Sequence, residues 1–517
     1  MGLIYRQDYS AWHTTLGSKE GGRKNPVQAA GFYGALLGVS DKWIKFLFWI
    51  YLLFLIGVAG TAVNPADPDL WHRLAVGEYL WQTHHFPVGD TFSYLPDFQN
   101  VADHEWGSAL IFFAVYKWAG LNAFVGLKLI TLVITLVLLV RAGLYDRRVT
   151  AWLAAFYVLV LLALLPSFQS TLRCMAFTHI FFALWLYWFQ RERKGSPVGM
   201  WAYVVTMIVW ANLHGGFAIG LLWLLVITAV EAFSGRPWKT WAIRLGLCLL
   251  ATLVNPFGWQ LWIATIRALV VTRRGFPEWG PIPWGAAQYP GYKLLLIGLL
   301  IAVAVQAYRK GWRWIDYQGY RGLIFMGVFL ALSLDSARHT SLFAEVAAVF
   351  VPGLFPRAEW MPPHSIHPLR RLGSIAISST LLLVPLYASL IVMPGDGFRL
   401  RYDPASCPVG GVAYLQRGQV RGKLLVPFNY GSYALWELRG RMRVSMDGRY
   451  DLVYRPATYR RVDDFFLGRG NGHTLLTTPR PDAILVPILD PVYSKLQEQA
   501  AWKEAWHDST DAVFLPK

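Results

Sequence analysis

The sequence predicts an α-helical polytopic membrane protein that ends in a small α/β domain. Three observations predict it. Apolar runs near the roughly 20 residues that cross a bilayer recur between residues 43 and 393. The composition is 55% hydrophobic and only 15% charged, against about 25% charged in soluble domains. Beyond Pro394 the long runs stop and short strand-like segments replace them.

The formal net charge of +17 does not point to nucleic acid. Its basic residues fall between apolar runs, as the positive-inside rule produces, rather than on one stripe. Arg23, Lys24, Lys42 and Lys45 precede the first run and place the N-terminal segment, residues 1–42, in the cytoplasm. The three cysteines, Cys174, Cys248 and Cys407, are widely separated and match no disulfide or metal pattern. No small-residue cleavage site follows the first run, so it reads as an uncleaved anchor.

In chain order, the first span is Trp43 to Val63 and the first outer loop is 64–120. Two interfacial helices are expected in that loop, Asp69 to Trp81 and Gly107 to Trp118. In the first, Trp71, Leu74 and Tyr79 would face lipid while Arg73 and Glu78 face headgroups. Further spans are expected near 121–140, 151–165, 176–189, 200–213, 217–233, 242–254, 292–308, 322–334, 341–354 and 372–392, about eleven crossings in all. Taking 107–118 as interfacial keeps the clusters at Arg141, Arg147 and Arg148, at Arg191, Arg193 and Lys194, and at Arg236 and Lys239 on one side. The transmembrane domain is then 43–393, and 394–517 is an extracytoplasmic α/β domain. Its expected strands are 423–428, 443–446, 483–486 and 512–515, with a helix over Asp490–Ala505.

The first outer loop carries two acidic clusters, Asp67/Asp69 and Asp103/His104/Glu105. Carboxylates beside a membrane span are costly unless they meet water, a cation or a reacting group. Asp67-Pro68 also reads as a helix cap followed by proline at the first helical position. A capping Asp67 is compatible with a catalytic Asp69, and the helix N-terminus would lower both pKa values. Asp103-His104-Glu105 likewise reads as a cap for the second interfacial helix. His84-His85 with Asp90 matches no strong zinc spacing and reads as an exposed pair. His214, in WANLHGGF, lies where glycines let the backbone break or a ligand approach. Arg173 and Arg338-His339 stand at outer span ends, either snorkelling to headgroups or pairing with phosphate. Asn255-Pro256-Phe257-Gly258-Trp259 reads as a turn. Asp447-Gly448-Arg449 reads as a hairpin turn, with Arg449 and Asp451 placed to roof a cavity.

Together the motifs DPDLWH, DHEW, WANLHGGF, NPFGW and DGRYDLVY, across residues 43–460, resemble a bacterial membrane-protein group related to the GT-C glycosyltransferase superfamily. That superfamily includes protein O-mannosyltransferases, oligosaccharyltransferases and lipid A aminoarabinose transferases. The resemblance implies a first-loop acid acting as base or metal ligand, at Asp69 or Asp67, and a second acid at Glu105 with Asp103 beside it. The sequence departs from the lipid A transferases here: Trp106-Gly107 follows Glu105 where those enzymes carry Lys-Pro-Pro.

The expected activity is transfer of a sugar from a polyprenyl-phosphate donor to a glycan, lipid or protein acceptor, on the outer face of a bacterial cytoplasmic membrane. Asp69 would deprotonate the acceptor, assisted by Asp67 or Glu105. The leaving phosphate would meet Arg338, or a divalent cation (Mg or Mn) held by Asp67, Asp69 and Glu105. The remaining lipid-phosphate candidates are His339, Arg173, His214, His104 and Arg449. Rival readings are a polymerase or ligase acting on undecaprenyl-diphosphate glycans, a lipid or glycan transporter, and a noncatalytic scaffold.

Overall fold

The computed structural model describes residues 41–517 apart from 88, 99–100, 146, 148, 150, 169–171, 271–276, 286–287, 312–316, 355–394 and 471. Phe48–Lys517 forms one compact unit; of the other, Met1–Leu47, the described part is the start of the first helix.

The helices follow the apolar runs closely. They are α1 (Asp41–Ala62), α2 (Pro68–Thr83), α3 (Trp106–Ala119), α4 (Ala123–Gly143), α5 (Ala151–Leu164), α6 (Met175–Arg193), α7 (Met200–Leu213), α8 (Phe217–Phe233), α9 (Lys239–Ala251), α10 (Gln260–Val270), α11 (Pro290–Lys310), α12 (Tyr317–Asp335) and α13 (Thr340–Leu354). Among the described residues, three segments are long and apolar enough to cross a membrane: Lys45–Ala62, Ala123–Gly143 and Pro290–Tyr308. Shorter apolar helices accompany them at Trp152–Phe168, Met200–Leu213 and Phe217–Phe233. These apolar helices make the chain a membrane protein. The span expected at 372–392 lies outside the described residues.

The centre of the bundle is α13. Every residue from Thr340 to Pro352 is buried, the all-round burial expected of a helix apolar on every face. It packs against α4, α5, α6, α11 and α12. The loop expected across 255–290 contains α10, whose Leu261 and Ala264 are buried while Ile263 and Ile266 are exposed. Asn255 closes the turn before it: its side chain accepts from Phe257 N at 2.7 Å and donates to Thr252 O at 2.6 Å.

The C-terminal domain consists of α14 (Val409–Arg417), β1 (Gly422–Leu425), α15 (Phe428–Glu437), β2 (Met442–Val444), α16 (Tyr450–Val453), α17 (Pro456–Phe466), β3 (Ala483–Pro487), α18 (Val492–Gln497), β4 (Trp502–His507) and β5 (Asp511–Pro516). The sheet order is β2-β1-β3-β5-β4, with β1 parallel to both β2 and β3 and β5 antiparallel to both neighbours. Two expectations fail here. The helix expected over 490–505 stops at Gln497, because Trp502–His507 pairs with β5 as a strand. Asp447-Gly448-Arg449 is no hairpin turn, since β1 and β2 run parallel; it leads from β2 into α16.

The first outer loop and this domain are joined through backbone and packing. Ala66 N donates to Arg401 O at 2.7 Å, and Asn64 N donates to Asp396 Oδ2 at 2.7 Å. Tyr94 N donates to Val444 O and Val444 N to Phe92 O, both at 3.0 Å, covering the free edge of β2. α2 packs on α3 and on α15. The lipid-facing arrangement expected for α2 is therefore replaced by burial: Trp71 and Leu74 are fully enclosed, and Trp71 stacks on Tyr402 and meets Tyr433 edge-on. Arg73 points inward, away from any headgroup, to the acids of the loop.

Candidate active site

α2 begins as its sequence dictates. Asp67 is the N-cap, its carboxylate accepting from Asp69 N at 3.0 Å, with Pro68 in the first turn. This fixes both acids at one helix end. Arg173, from the segment entering α6, lies between them: its Nε is 3.0 Å from Asp67 Oδ2 and its Nη2 is 3.6 Å from Asp69 Oδ2. Its third partner is Glu278, 2.8 Å from Nη1. Glu278 also faces Arg338 at 3.8 Å, and Arg338 lies over the Trp279 ring. Glu278 was not among the expected residues. It sits in a connection that shows only turn composition, so nothing local marked it.

The second acidic cluster opens α3, but not as a side-chain cap. Glu105 is the N-cap by position and makes no capping bond, whereas Asp103 accepts from Glu105 N at 2.9 Å. Both carboxylates converge on the buried Arg73, whose Nη1 is 2.6 Å from Asp103 Oδ2 and whose Nη2 is 2.7 Å from Glu105 Oε2. WANLHGGF positions this end of α3. Trp106 Nε1 donates to Asn212 Oδ1 at 3.0 Å, and Ser108 Oγ donates to Leu213 O at 2.5 Å. His214 Nδ1 accepts from Gly216 N at 2.9 Å, so the neutral ring carries its proton on Nε2, 3.4 Å from Glu105 Oε1. Gly216 allows this approach, since a Cβ there would fall 2.7 Å from His214 Nδ1.

The charges are separated in character. Burial alone raises Glu105, but Arg73 and then His104 and His214 hold it well below the usual carboxylate range. Burial pushes His214 down to about 3, more strongly than Glu105 pulls it up. Asp69 moves the other way. Burial and then the charge of Asp67 raise it to about 6 against the opposing pull of Arg173. The depression expected from the helix N-terminus is outweighed. Although 45% of the Asp69 side chain is open, desolvation by the surrounding protein is the largest of these effects.

A hollow here is lined by Asp67, Asp69, Arg73, Glu105, Arg173, His214 and Arg338, with Phe112, Leu172 and Met175 on its apolar side. Its free volume is about 20 Å³, the space of about one water. The two acidic ends of the first outer loop thus share one site. Asp103 stands behind Arg73, and His104 lies beside Glu105 at 3.8 Å. His339 Nδ1 faces Leu332 O at 3.2 Å rather than the hollow. Arg449 also lies apart from the lining: it pairs with Asp447 at 2.7 Å and Asp90 at 3.0 Å, tying the C-terminal domain to the loop. The roof is the neighbouring Gly448, whose backbone lies against Asp69 and the buried His72.

The acids do not form a metal-ligand set in this arrangement. Among the described residues no three His, Cys, Asp or Glu side chains are placed to hold an ion. Asp67 and Asp69 both face Arg173, and Glu105 faces Arg73. A divalent ion at Asp67, Asp69 and Glu105 does not fit this donor set.

No protein-family model and no curated protein matches the sequence. Solved structures do. The cryo-EM structure of the arabinofuranosyltransferase AftD from Mycobacteria aligns over 92% of this chain with a TM-score of 0.53 at 14% identity; this chain spans 40% of AftD. ArnT from Cupriavidus metallidurans bound to undecaprenyl phosphate aligns over 92% of this chain and 98% of its own, with a TM-score of 0.51 at 12% identity. Its apo state gives a TM-score of 0.50 at 14% identity, over 94% of this chain and 98% of its own. The fold is GT-C-like.

Proposed function

We propose that this chain is a membrane glycosyltransferase that moves a sugar from a polyprenyl-phosphate donor to an acceptor hydroxyl. The observation that carries the reading is the shared hollow: a carboxylate raised to about 6 beside two guanidinium groups, Arg173 and Arg338. The fold shared with ArnT, which was crystallised with undecaprenyl phosphate, supports a lipid-linked donor. In this reading the chain crosses the bacterial cytoplasmic membrane about eleven times and its C-terminal domain lies on the outer face.

In this mechanism the donor phosphate replaces Glu278 as the partner of Arg173 and Arg338, widening the hollow. The acceptor hydroxyl approaches Asp69. As its oxygen attacks the anomeric carbon, the O–H proton passes to the Asp69 carboxylate and the bond between that carbon and the phosphate oxygen breaks. The electron pair leaves with the phosphate, where the guanidinium charges stabilise it. A base titrating near the working pH suits this proton transfer. Glu105, held ionised, orients Arg73 and the Nε2–H of His214 and carries no proton. The donor set supports guanidinium groups, not a divalent cation, as the charge-compensating element.

The test supplies undecaprenyl-phosphate-linked arabinose, mannose and glucose to the full-length protein in nanodiscs, with a hydroxyl-bearing acceptor panel. Released undecaprenyl phosphate and glycosylated acceptor should appear together. Lipid crossing the bilayer with its sugar bond intact would replace this reading with a transporter.

A further inference from the structure

A second hollow of about 580 Å³ lies between the last turns of α2 and α3. Glu78, Trp81 and Gln82 enter it from α2; Tyr116, Lys117 and Trp118 enter it from α3. Its volume lies in the range of small-ligand sites, which combine aromatic walls with a few convergent polar groups.

The chemistry of the lining is that of a polyol site. Glu78 offers acceptors, Lys117 offers donors, and Gln82 offers both, a set that matches hydroxyl groups able to give and take hydrogen bonds. Glu78 is paired with Arg439, and Lys117 sits over the Trp81 ring at 4.9 Å. Trp118 is 74% exposed and meets Trp81 edge-on at 5.7 Å, leaving its indole open as a platform for a sugar ring. Trp436 of the C-terminal domain buttresses Tyr116 from behind at 5.1 Å. The hollow also shares a helix with the candidate base. Twelve residues of α2 separate Asp69 from Trp81, about 18 Å along the axis.

We propose that this hollow is a remote acceptor subsite for a neutral glycan, one end of which reaches Asp69. The proposal rests on the glycosyltransferase reading and narrows the acceptor class to an oligosaccharide. Trp118 also stands just before α4, at the depth where interfacial tryptophans anchor proteins to lipid; anchoring alone is the competing outcome.

The experiment uses the full-length protein in nanodiscs, titrated with length series of neutral arabinan, mannan and glucan oligosaccharides, with tryptophan fluorescence and calorimetry as readouts. Binding of undecaprenyl phosphate is measured in parallel. The expected result is saturable binding of one series that tightens with length. Trp118→Ala should weaken it about tenfold, the loss of a stacking contact worth about 1.4 kcal/mol, and Gln82→Ala should weaken it severalfold. Undecaprenyl phosphate binding should be unchanged in both variants. Failure of every series to bind, or binding indifferent to Trp118→Ala, overturns the subsite. Because the donor is measured separately, loss of the subsite leaves the transferase reading standing, and absence of donor binding would remove that reading instead.

Discussion

Gly448 lies directly against Asp69: a Cβ at position 448 would fall 2.9 Å from Asp69 Oδ1 and 2.7 Å from His72 Nδ1. The C-terminal domain therefore touches the candidate base itself. Its loop is held by Gly448 N donating to Ser432 Oγ at 2.9 Å, and that hydroxyl faces His72 Nδ1 at 3.2 Å. Gly448→Ala should push Asp69 from its position while leaving the helical bundle intact. Transfer should fall by about 10²-fold, the cost of misplacing a reacting group by about 1 Å, with a smaller loss of melting temperature than removal of a buried charge partner causes. Retention of full activity would show that the roof does not position the base.

The raised pKa of Asp69 sets the pH profile. The base works only when ionised, so the rate should rise with pH through about 6 and then level off. Asp69→Asn should lower kcat by about 10²–10⁴-fold, the usual contribution of a positioned base. Rate measurements between acid and neutral pH on purified protein check both statements. Glu105→Gln should move the acid limb to lower pH, because the ionised Glu105 is one of the charges that raise Asp69.

Arg73 has a different role. With 4% of its side chain exposed, it is the shared partner of Asp103 and Glu105. Arg73→Leu leaves two buried carboxylates without their cation. Breaking a buried pair from one side costs about 3–5 kcal/mol, so this variant should unfold at distinctly lower temperature or fail to accumulate. Thermal unfolding in detergent distinguishes it from Gly448→Ala, which is expected to lose more rate than stability.

Glu278 competes with the donor. It faces both Arg173 and Arg338, so Glu278→Gln should free these guanidinium groups for phosphate and tighten undecaprenyl phosphate binding severalfold. Chelation by EDTA should leave binding and transfer unchanged, because each acid of the expected metal set faces a guanidinium. Weaker lipid binding by Glu278→Gln would mean that it positions the arginines rather than blocks them.

The parts of the molecule that were legible in the sequence are those governed by local rules. α7 and α8 match the apolar runs at both ends, and Asp67-Pro68 caps α2 as its residue types require. Asp67, Asp69 and Glu105 could be singled out because acids beside spans are costly. What remained hidden depends on contacts distant in sequence. The burial of Trp71 comes from Tyr402 and Tyr433, more than three hundred residues away. Glu278 becomes part of the site only because its connection returns to Arg173. His72 and Gly448 lie within DPDLWH and DGRYDLVY, but nothing local brings those two motifs together, and β4 was masked by a stretch whose composition also suits a helix. Arg449 was expected near the roof of the cavity; Asp447 and Asp90 enclose its charge.

The central claim is that Arg173 and Arg338 receive the phosphate of a polyprenyl donor beside Asp69. Native mass spectrometry of the full-length protein with undecaprenyl phosphate tests it most directly, comparing the unsubstituted chain with Arg338→Ala and Asp69→Asn. The account predicts one lipid bound to the unsubstituted protein, binding weakened at least about tenfold by Arg338→Ala, a loss of about 1.4 kcal/mol, and binding retained by Asp69→Asn. Equal occupancy in all three proteins, or none in any, would contradict it.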